Sequence, residues 1–225
     1  FTFKGEKIGV GLSNPEANLH VSGNTGVVIQ GSINSEIALP SSGKGTRMMF
    51  FPAKAAFRAG TVEGTEWDNI NIGTYSIAMG YGGISSGEGS AILGGYKNTA
   101  EGDYSVVPGG RENQALGDYS FAAGYRAVAA HKGSFVWADY DPTSNANFES
   151  GSSNQFVIKA SNGVGIGTSE TSDAVMTIQR DKNKEYLFKA IGNNDGKNAL
   201  VVNTSGNVGI GTSDPGTACL AIMNG

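Results

Sequence analysis

Between Gly73 and about Tyr140 the chain repeats itself, and few folds accept a repeat this short. Five segments share one pattern: Ser76-Ile-Ala-Met-Gly80, Ser90-Ala-Ile-Leu-Gly94, Ser105-Val-Val-Pro-Gly109, Ser120-Phe-Ala-Ala-Gly124 and a fading copy, Ser134-Phe-Val-Trp-Ala138. Their serines lie 14, 15, 15 and 14 residues apart. A second marker keeps step, since Gly73, Gly87, Gly102 and Gly117 each precede a serine by three residues. Two independent markers on one period exclude chance similarity.

Such a unit is too short for a helical-hairpin repeat or a propeller blade. At ~3.3 Å per residue it fits one coil of a narrow β-solenoid, two short strands joined by two turns. Composition agrees: 35 of 225 residues are glycine, about twice the usual ~7 %, and glycine disfavours helix by about 1 kcal/mol per position relative to alanine. Disorder is excluded by 39 % apolar residues and a net charge of only −4. Ala78, Ile92, Val107 and Ala122, two residues after each serine, form the predicted inward row. Ile77, Val106 and Phe121 alternate with them and point outward. The glycines three before and four after each serine are predicted at corners, where positive φ favours glycine. One thin solenoid buries little surface against its ordering entropy. Lengthwise association into a homotrimer is therefore expected.

A second repeat frames the first. Lys7-Ile-Gly-Val-Gly11, Gly163-Val-Gly-Ile-Gly167 and Val208-Gly-Ile-Gly211 are followed by turns (Leu12 to Pro15, Thr168-Ser169, Thr212 to Pro215) and then by Leu19-His-Val21, Val175 to Ile178 and Leu220-Ala-Ile222. Each unit reads as strand, turn and second strand. Further strand candidates are Val27–Gln30, Glu36–Leu39, Arg47–Phe51, Ala56–Arg58 and Gln155–Lys159, with a hairpin about Asn193 to Gly196. The predicted architecture is all-β. Strand-turn-strand modules occupy 1–23, 141–180 (after a loop) and 181–225, a short-strand module 24–72, and the β-roll 73–140. The chain ends just after a strand candidate and is expected to be part of a longer protein.

The Ser-x-Ala-x-Gly pattern of Ser76 to Gly80 and Ser120 to Gly124, with Ala115 to Gly117 between, resembles the head repeats of YadA-type trimeric autotransporter adhesins. Gly45 to Gly60 and the Val-Gly-Ile-Gly units resemble surface-fibre and phage tail-fibre proteins. The third copy departs from the family with Val107-Pro108, and no coiled-coil stalk or membrane anchor pattern follows. The resemblance implies a left-handed parallel β-roll wound as a homotrimer, an extracellular place on a cell surface or virion fibre, and binding to extracellular-matrix proteins through Ile77, Val106 and Phe121.

Little points to catalysis. His20 sits in a strand candidate and His131 in a glycine-flanked turn, with no nucleophile elbow near either. Gly163 to Gly167 mimics a dinucleotide fingerprint, but no helix pattern follows it. Neither enzyme activity nor a cofactor is expected. Asp103 and Asp118 share one repeat position and are candidates for a cation between subunits. The preferred reading is that each caps a Gly-Asp-Tyr turn, as Asp139 and Asp141 do beside Pro142. Tyr104 and Tyr119 form one aromatic row, and Tyr81, Tyr96 and Tyr125 another. Packing is the ordinary role of such rows, and a glycan- or protein-binding face that includes Tyr104, Tyr119 and Tyr125 is the alternative. No clustered basic stretch suits nucleic acid, and no apolar run approaches the ~18 residues of a membrane span. Cys219, the single cysteine, lies among small apolar residues and reads as a buried hydrophobe. A spacer in a virion fibre or filament, and a polysaccharide-active tail-spike enzyme, are the competing classes.

Overall fold

The computed structural model describes residues 1–24, 26–33, 38–166, 176–178, 186–191, 198–203, 207–210 and 220–222. Glu36, the turns at Thr168-Ser169, Asn193 to Gly196 and Thr212 to Pro215, and Cys219 lie outside the described residues. The described chain is all-β apart from short 3-10 turns, and among the described residues no helix is long and apolar enough to cross a membrane. It forms two compact units, Phe1–Ile158 and Lys159–Gly225.

In the first unit the repeat builds two sheets at once. Strands Ile77–Tyr81, Ala91–Ile92, Val106–Val107, Phe121–Gly124 and Phe135–Ala138 lie side by side in one sheet. Ile84–Ser85, Thr99–Ala100, Gln114–Ala115, Ala127–Ala129 and Phe148–Glu149 form another. All neighbours within these two sets are parallel, and each 14- or 15-residue advance moves the chain one strand along both sheets, as in Ile77↔Ala91↔Val106↔Phe121↔Phe135. The first sheet is extended to eight strands by Phe156–Lys159 at one end and the antiparallel hairpin Gly45–Phe51 with Ala56–Val62 at the other. Pro52–Lys54 is a 3-10 turn in that hairpin, so Pro52 and the left-handed Ala55 break the chain where a helix would otherwise run.

The space between the sheets is one side chain deep. Ala78, Ile92, Val107 and Ala122 are fully buried, as predicted, Val136 continues their row, and they face Ser85, Ala100, Ala115 and Ala129 from the other sheet. Small residues opposite larger ones keep the two backbones close at native packing density. The repeat serines are buried too, and the hydroxyls of Ser76 and Ser90 donate to the carbonyls of Gly73 and Gly87 at 2.6 and 2.8 Å.

The corners differ from the prediction. Gly80, Gly94, Gly109 and Gly124 do have positive φ, but Gly73, Gly87, Gly102 and Gly117 do not. Those four are glycine because the next unit crosses directly over them. A Cβ on Gly87 would lie 2.2 Å from the carbonyl oxygen of Gly102, and one on Gly102 2.1 Å from that of Gly117. The left-handed position at this turn is the residue just before the serine, which is Tyr75, Gly89, Tyr104, Tyr119 and Gly133, with φ between 57° and 67°.

Asn98 and Asn113, both buried, hold the opposite corner. Asn113 Nδ2 donates to the carbonyls of Gly109 and Gly124 at 3.0 and 2.8 Å, while its Oδ1 accepts from the Ala127 amide at 3.0 Å. Its own amide donates to Asn98 Oδ1 at 2.9 Å, so the two side chains join successive units. Replacing Asn113 by leucine strands the Gly109 carbonyl and the Ala127 amide and removes one of two donors to the Gly124 carbonyl. The expected loss is about 2–3 kcal/mol, read from urea unfolding of the full chain. A loss under ~0.5 kcal/mol would show the ladder to be incidental.

The flanking units share one geometry. Ile8↔Leu19, Val164↔Met176 and Val208↔Leu220 begin three parallel pairs of the same register, each with its middle glycine opposite residue 20, 177 or 221. In the first and third an antiparallel strand precedes the pair, Thr2–Lys4 and Asn198–Asn203. Tyr186–Ile191 pairs antiparallel with Asn198–Asn203. Val27–Gln30 is no strand. Val27, Val28 and Ile29 lie exposed with no ladder partner, showing that a β-branched run needs a free sheet edge.

Candidate functional site: outer faces and corner ridges of the repeat

Outward alternation places Ile77, Ala91, Val106, Phe121 and Phe135 in one row on the outer face of the eight-stranded sheet. The Phe121 and Phe135 rings stack at 4.5 Å, and Phe156 continues the column at 4.7 Å. A second outward row on that face includes Met79, Leu93 and Trp137. The five-stranded sheet turns Ile84, Thr99, Gln114 and Glu149 outward, and Val128, in the same row, is buried. The first face is apolar and the second mixed.

At the turn entering the eight-stranded sheet, Tyr104 and Tyr119 stack at 5.5 Å and remain 49 % and 59 % exposed. Both hold left-handed φ, which costs a non-glycine residue about 1–2 kcal/mol. Ring stacking, at about 0.5–1.5 kcal/mol per aromatic pair, offsets much of that. Stacking also uses up the ring faces, so edges and hydroxyls are what the row offers to solvent. The Tyr104 hydroxyl donates to Glu88 at 2.9 Å, and that bond holds the phenol above its ordinary range. Lys132 lies 5.2 Å over the Tyr119 ring.

Asp103 and Asp118 lie on the same turn and share a role. Asp103 Oδ1 accepts from the Glu88 amide at 2.9 Å, and Asp118 Oδ1 from the Asp103 amide at 3.3 Å. Each carboxylate thus caps the turn of the preceding unit rather than its own. Among the described residues, no three His, Cys, Asp or Glu side chains gather as a metal-binding group.

The turn leaving the sheet carries the other aromatic row, with an arginine inside it. Tyr81, Tyr96, Arg111 and Tyr125 occupy successive bridges. Tyr81 stacks on Tyr96 at 4.8 Å, and Arg111 covers Tyr96 at 4.9 Å. A hydrogen bond donated by its hydroxyl to Glu63, with burial, pushes the Tyr81 phenol from 10.0 up to about 12. Glu112 pairs with Arg111 and Arg126, whose cations hold its carboxyl below the ordinary range. Tyr125 meets Tyr140 edge-on at 5.1 Å.

The histidines are separate from these rows. His20 Nδ1 accepts from the Glu16 amide at 3.3 Å, and His131 Nδ1 lies 3.0 Å from Ser150 Oγ. His131 occupies the position of the stacked glycines, at the end of their column. Asp141 caps Thr143 through its amide and hydroxyl at 2.9 and 2.6 Å.

Set beside known proteins, the chain matches no family model, no curated sequence and no solved structure.

Proposed function

We propose that this chain is a non-enzymatic segment of an extracellular trimeric fibre or adhesin. In this reading residues 73–140 are a left-handed β-roll, three copies associate along their length, and the rigid roll is held out for attachment to a surface. The observation that carries it is the in-register parallel stacking of 14- to 15-residue units around an interior one side chain deep. Such a stack is stiff because every unit is hydrogen-bonded to the next, and it suits display better than chemistry. Its partner is an extracellular protein or glycan.

A spacer role is the second reading, and the stacked Tyr104 and Tyr119 rings favour it, because a sugar needs a free ring face to stack on. Binding of the full chain to immobilised extracellular-matrix proteins and a glycan array tests the first reading. Saturable binding that Tyr104→Ala/Tyr119→Ala weakens at least tenfold, with the assembly intact, supports an attachment role for that row. No binding anywhere leaves the spacer. Sustained release of reducing ends from bacterial polysaccharides would overturn both.

A further inference from the structure

The eight-stranded sheet ends in a strand whose outer edge is open. Gly45–Phe51 is the last strand of that sheet, and among the described residues it pairs only with Ala56–Val62. The Phe57 amide donates to the Ser76 carbonyl, and the Thr61 carbonyl accepts from the Gly82 amide. Phe57, Ala59 and Thr61 therefore turn their backbone groups toward Ile77–Tyr81. Ala56, Arg58, Gly60 and Val62 bond to the other neighbour, through Phe51, Met49, Arg47 and Gly45. By the same alternation the amides and carbonyls of Thr46, Met48 and Phe50 point away from the sheet. They form a row of three donors and three acceptors, and Met48 between them is 75 % exposed. A row of this kind is a template for one more strand. The three edge residues are uncharged; Arg47 is turned 5.3 Å over Trp67, and Lys44 stands just before the strand.

A strand without a sheet lies close to it. Val27, Val28 and Ile29 are 64, 80 and 66 % exposed and have no ladder partner. Their β-branched side chains suit a strand, and the sequence holds no Asp, Glu, Lys or Arg from Val21 to Ser35. Gly31 packs on Pro52, where an added Cβ would lie 2.6 Å from the Pro52 Cβ. That contact brings the run to the Phe50 end of the edge strand. An open apolar cavity of about 360 Å³ lies there, lined by Ile29, Gly31, Pro40, Phe50, Phe51 and Pro52 among others.

The geometry points to strand exchange at this edge: residues 27–30 of a second copy of the chain add to Gly45–Phe51 as a further strand. The inference rests on the proposed multi-chain assembly, but the ladder lies outside residues 73–140 and needs no contact between rolls. Three observations select this occupant. Each copy carries one open edge and one unpaired run, so exchange leaves neither over, and it closes around a ring of copies. The run is uncharged, so it meets Lys44 and Arg47 without repulsion. Within one chain the edge is already in reach, since Ile29 and Phe50 line the same cavity, and still no ladder forms while Gly31 sits on Pro52. Alternation then fixes the faces. Polar Gln30 and Val28 turn outward, Val28 beside Met48, and Val27 and Ile29 turn inward beside the buried Met49 and Phe51. The incoming side chains fill the cavity and the incoming backbone satisfies Thr46, Met48 and Phe50.

Disulfide trapping in full chains tests this, with Cys219→Ser in every chain. One chain carries Val28→Cys, a second carries Met48→Cys, both at exposed positions, and the two are expressed together. Opposed residues of paired strands have Cβ atoms ~4.5–5.5 Å apart, close enough for a disulfide with little backbone adjustment. Mild oxidation is expected to join the two chains at least fivefold more than it joins Val28→Cys to Leu93→Cys. Hydrogen exchange gives a second reading that does not depend on the exact register. The amides of Thr46, Met48 and Phe50 should exchange at least tenfold faster in Val28→Pro/Ile29→Pro than in the wild type, with that of Phe121 unchanged. A wild type that assembles in sedimentation equilibrium but shows neither the linkage nor the protected edge overturns strand exchange and leaves the fibre reading standing. A disulfide that forms only when both cysteines are in one chain also overturns it, and gives the edge to the chain's own run. A monomeric wild type overturns the assembly and the exchange together.

Discussion

Gly102→Ala is expected to lower the stability of the first unit by about 4 kcal/mol and its melting temperature by roughly 10 °C, although it adds one methyl group. The added Cβ would sit 2.1 Å from the Gly117 carbonyl oxygen, 2.3 Å from its carbon and 2.8 Å from the Asp118 nitrogen. All three are backbone atoms, fixed from both sides by ladders to neighbouring units. No rotamer relieves the clash, and moving one unit strains the next. Gly151→Ala is the control, since its Cβ would find only Gln155 Oε1 at 3.8 Å and its φ is not positive; it should change stability by under ~0.5 kcal/mol. Thermal unfolding followed by near-ultraviolet dichroism reads both. Equal melting temperatures for the two variants would mean that the units are not held as closely as described.

That column also shows how far the sequence could be read. Strand alternation alone placed Ala78, Ile92, Val107 and Ala122 inside, because a two-residue period leaves one choice once the serines are aligned. Glycine is ambiguous in a way that alternation is not, since one letter serves positive φ and close approach alike. The residues three before each serine were therefore placed correctly and explained wrongly. The actual left-handed position holds tyrosine in three units and glycine in only two, so no continuous glycine signature marks it. Tyr81, Tyr96 and Tyr125 were legible as a row, but Arg111, the member that breaks the chemical pattern, was missed. Asn98 and Asn113 each follow their serine by eight residues, a spacing present in only two units and therefore no part of the fivefold pattern. Arg58 had no repeat to announce it, and the way the stack is closed depends on it.

A stack of coils needs a stopper at its open end, and removing Arg58 is expected to cost about 3 kcal/mol or more. Arg58 occupies the inward row directly before Ala78, yet its side chain is completely buried. Among the described residues no carboxylate pairs with it. One guanidinium nitrogen donates to the carbonyls of Phe57 and Ser76 at 2.8 and 3.0 Å, and the other to Ser76 Oγ and the Ser85 carbonyl at 2.8 and 3.0 Å, while Nε has no partner. Burial pushes the group from 12.5 down to about 10, so it stays charged at neutral pH. Trp67, also fully buried, closes the other sheet by donating to the Gly83 carbonyl at 3.0 Å. The planar fork spans acceptors on both sheets, which the single ammonium of lysine cannot. Arg58→Lys should therefore recover less than half of the loss in Arg58→Ala, and Arg58→Met, which fills the space but donates no hydrogen bond to Ser76 Oγ or the three carbonyls, should lie between wild type and alanine. Urea unfolding ranks the four chains, and hydrogen exchange locates the damage, with the amides of Ile77 and Ile84 exchanging faster and that of Phe121 unchanged. An Arg58→Ala loss below ~1 kcal/mol, or faster exchange spread evenly over the stack, would show that Arg58 is not what closes it.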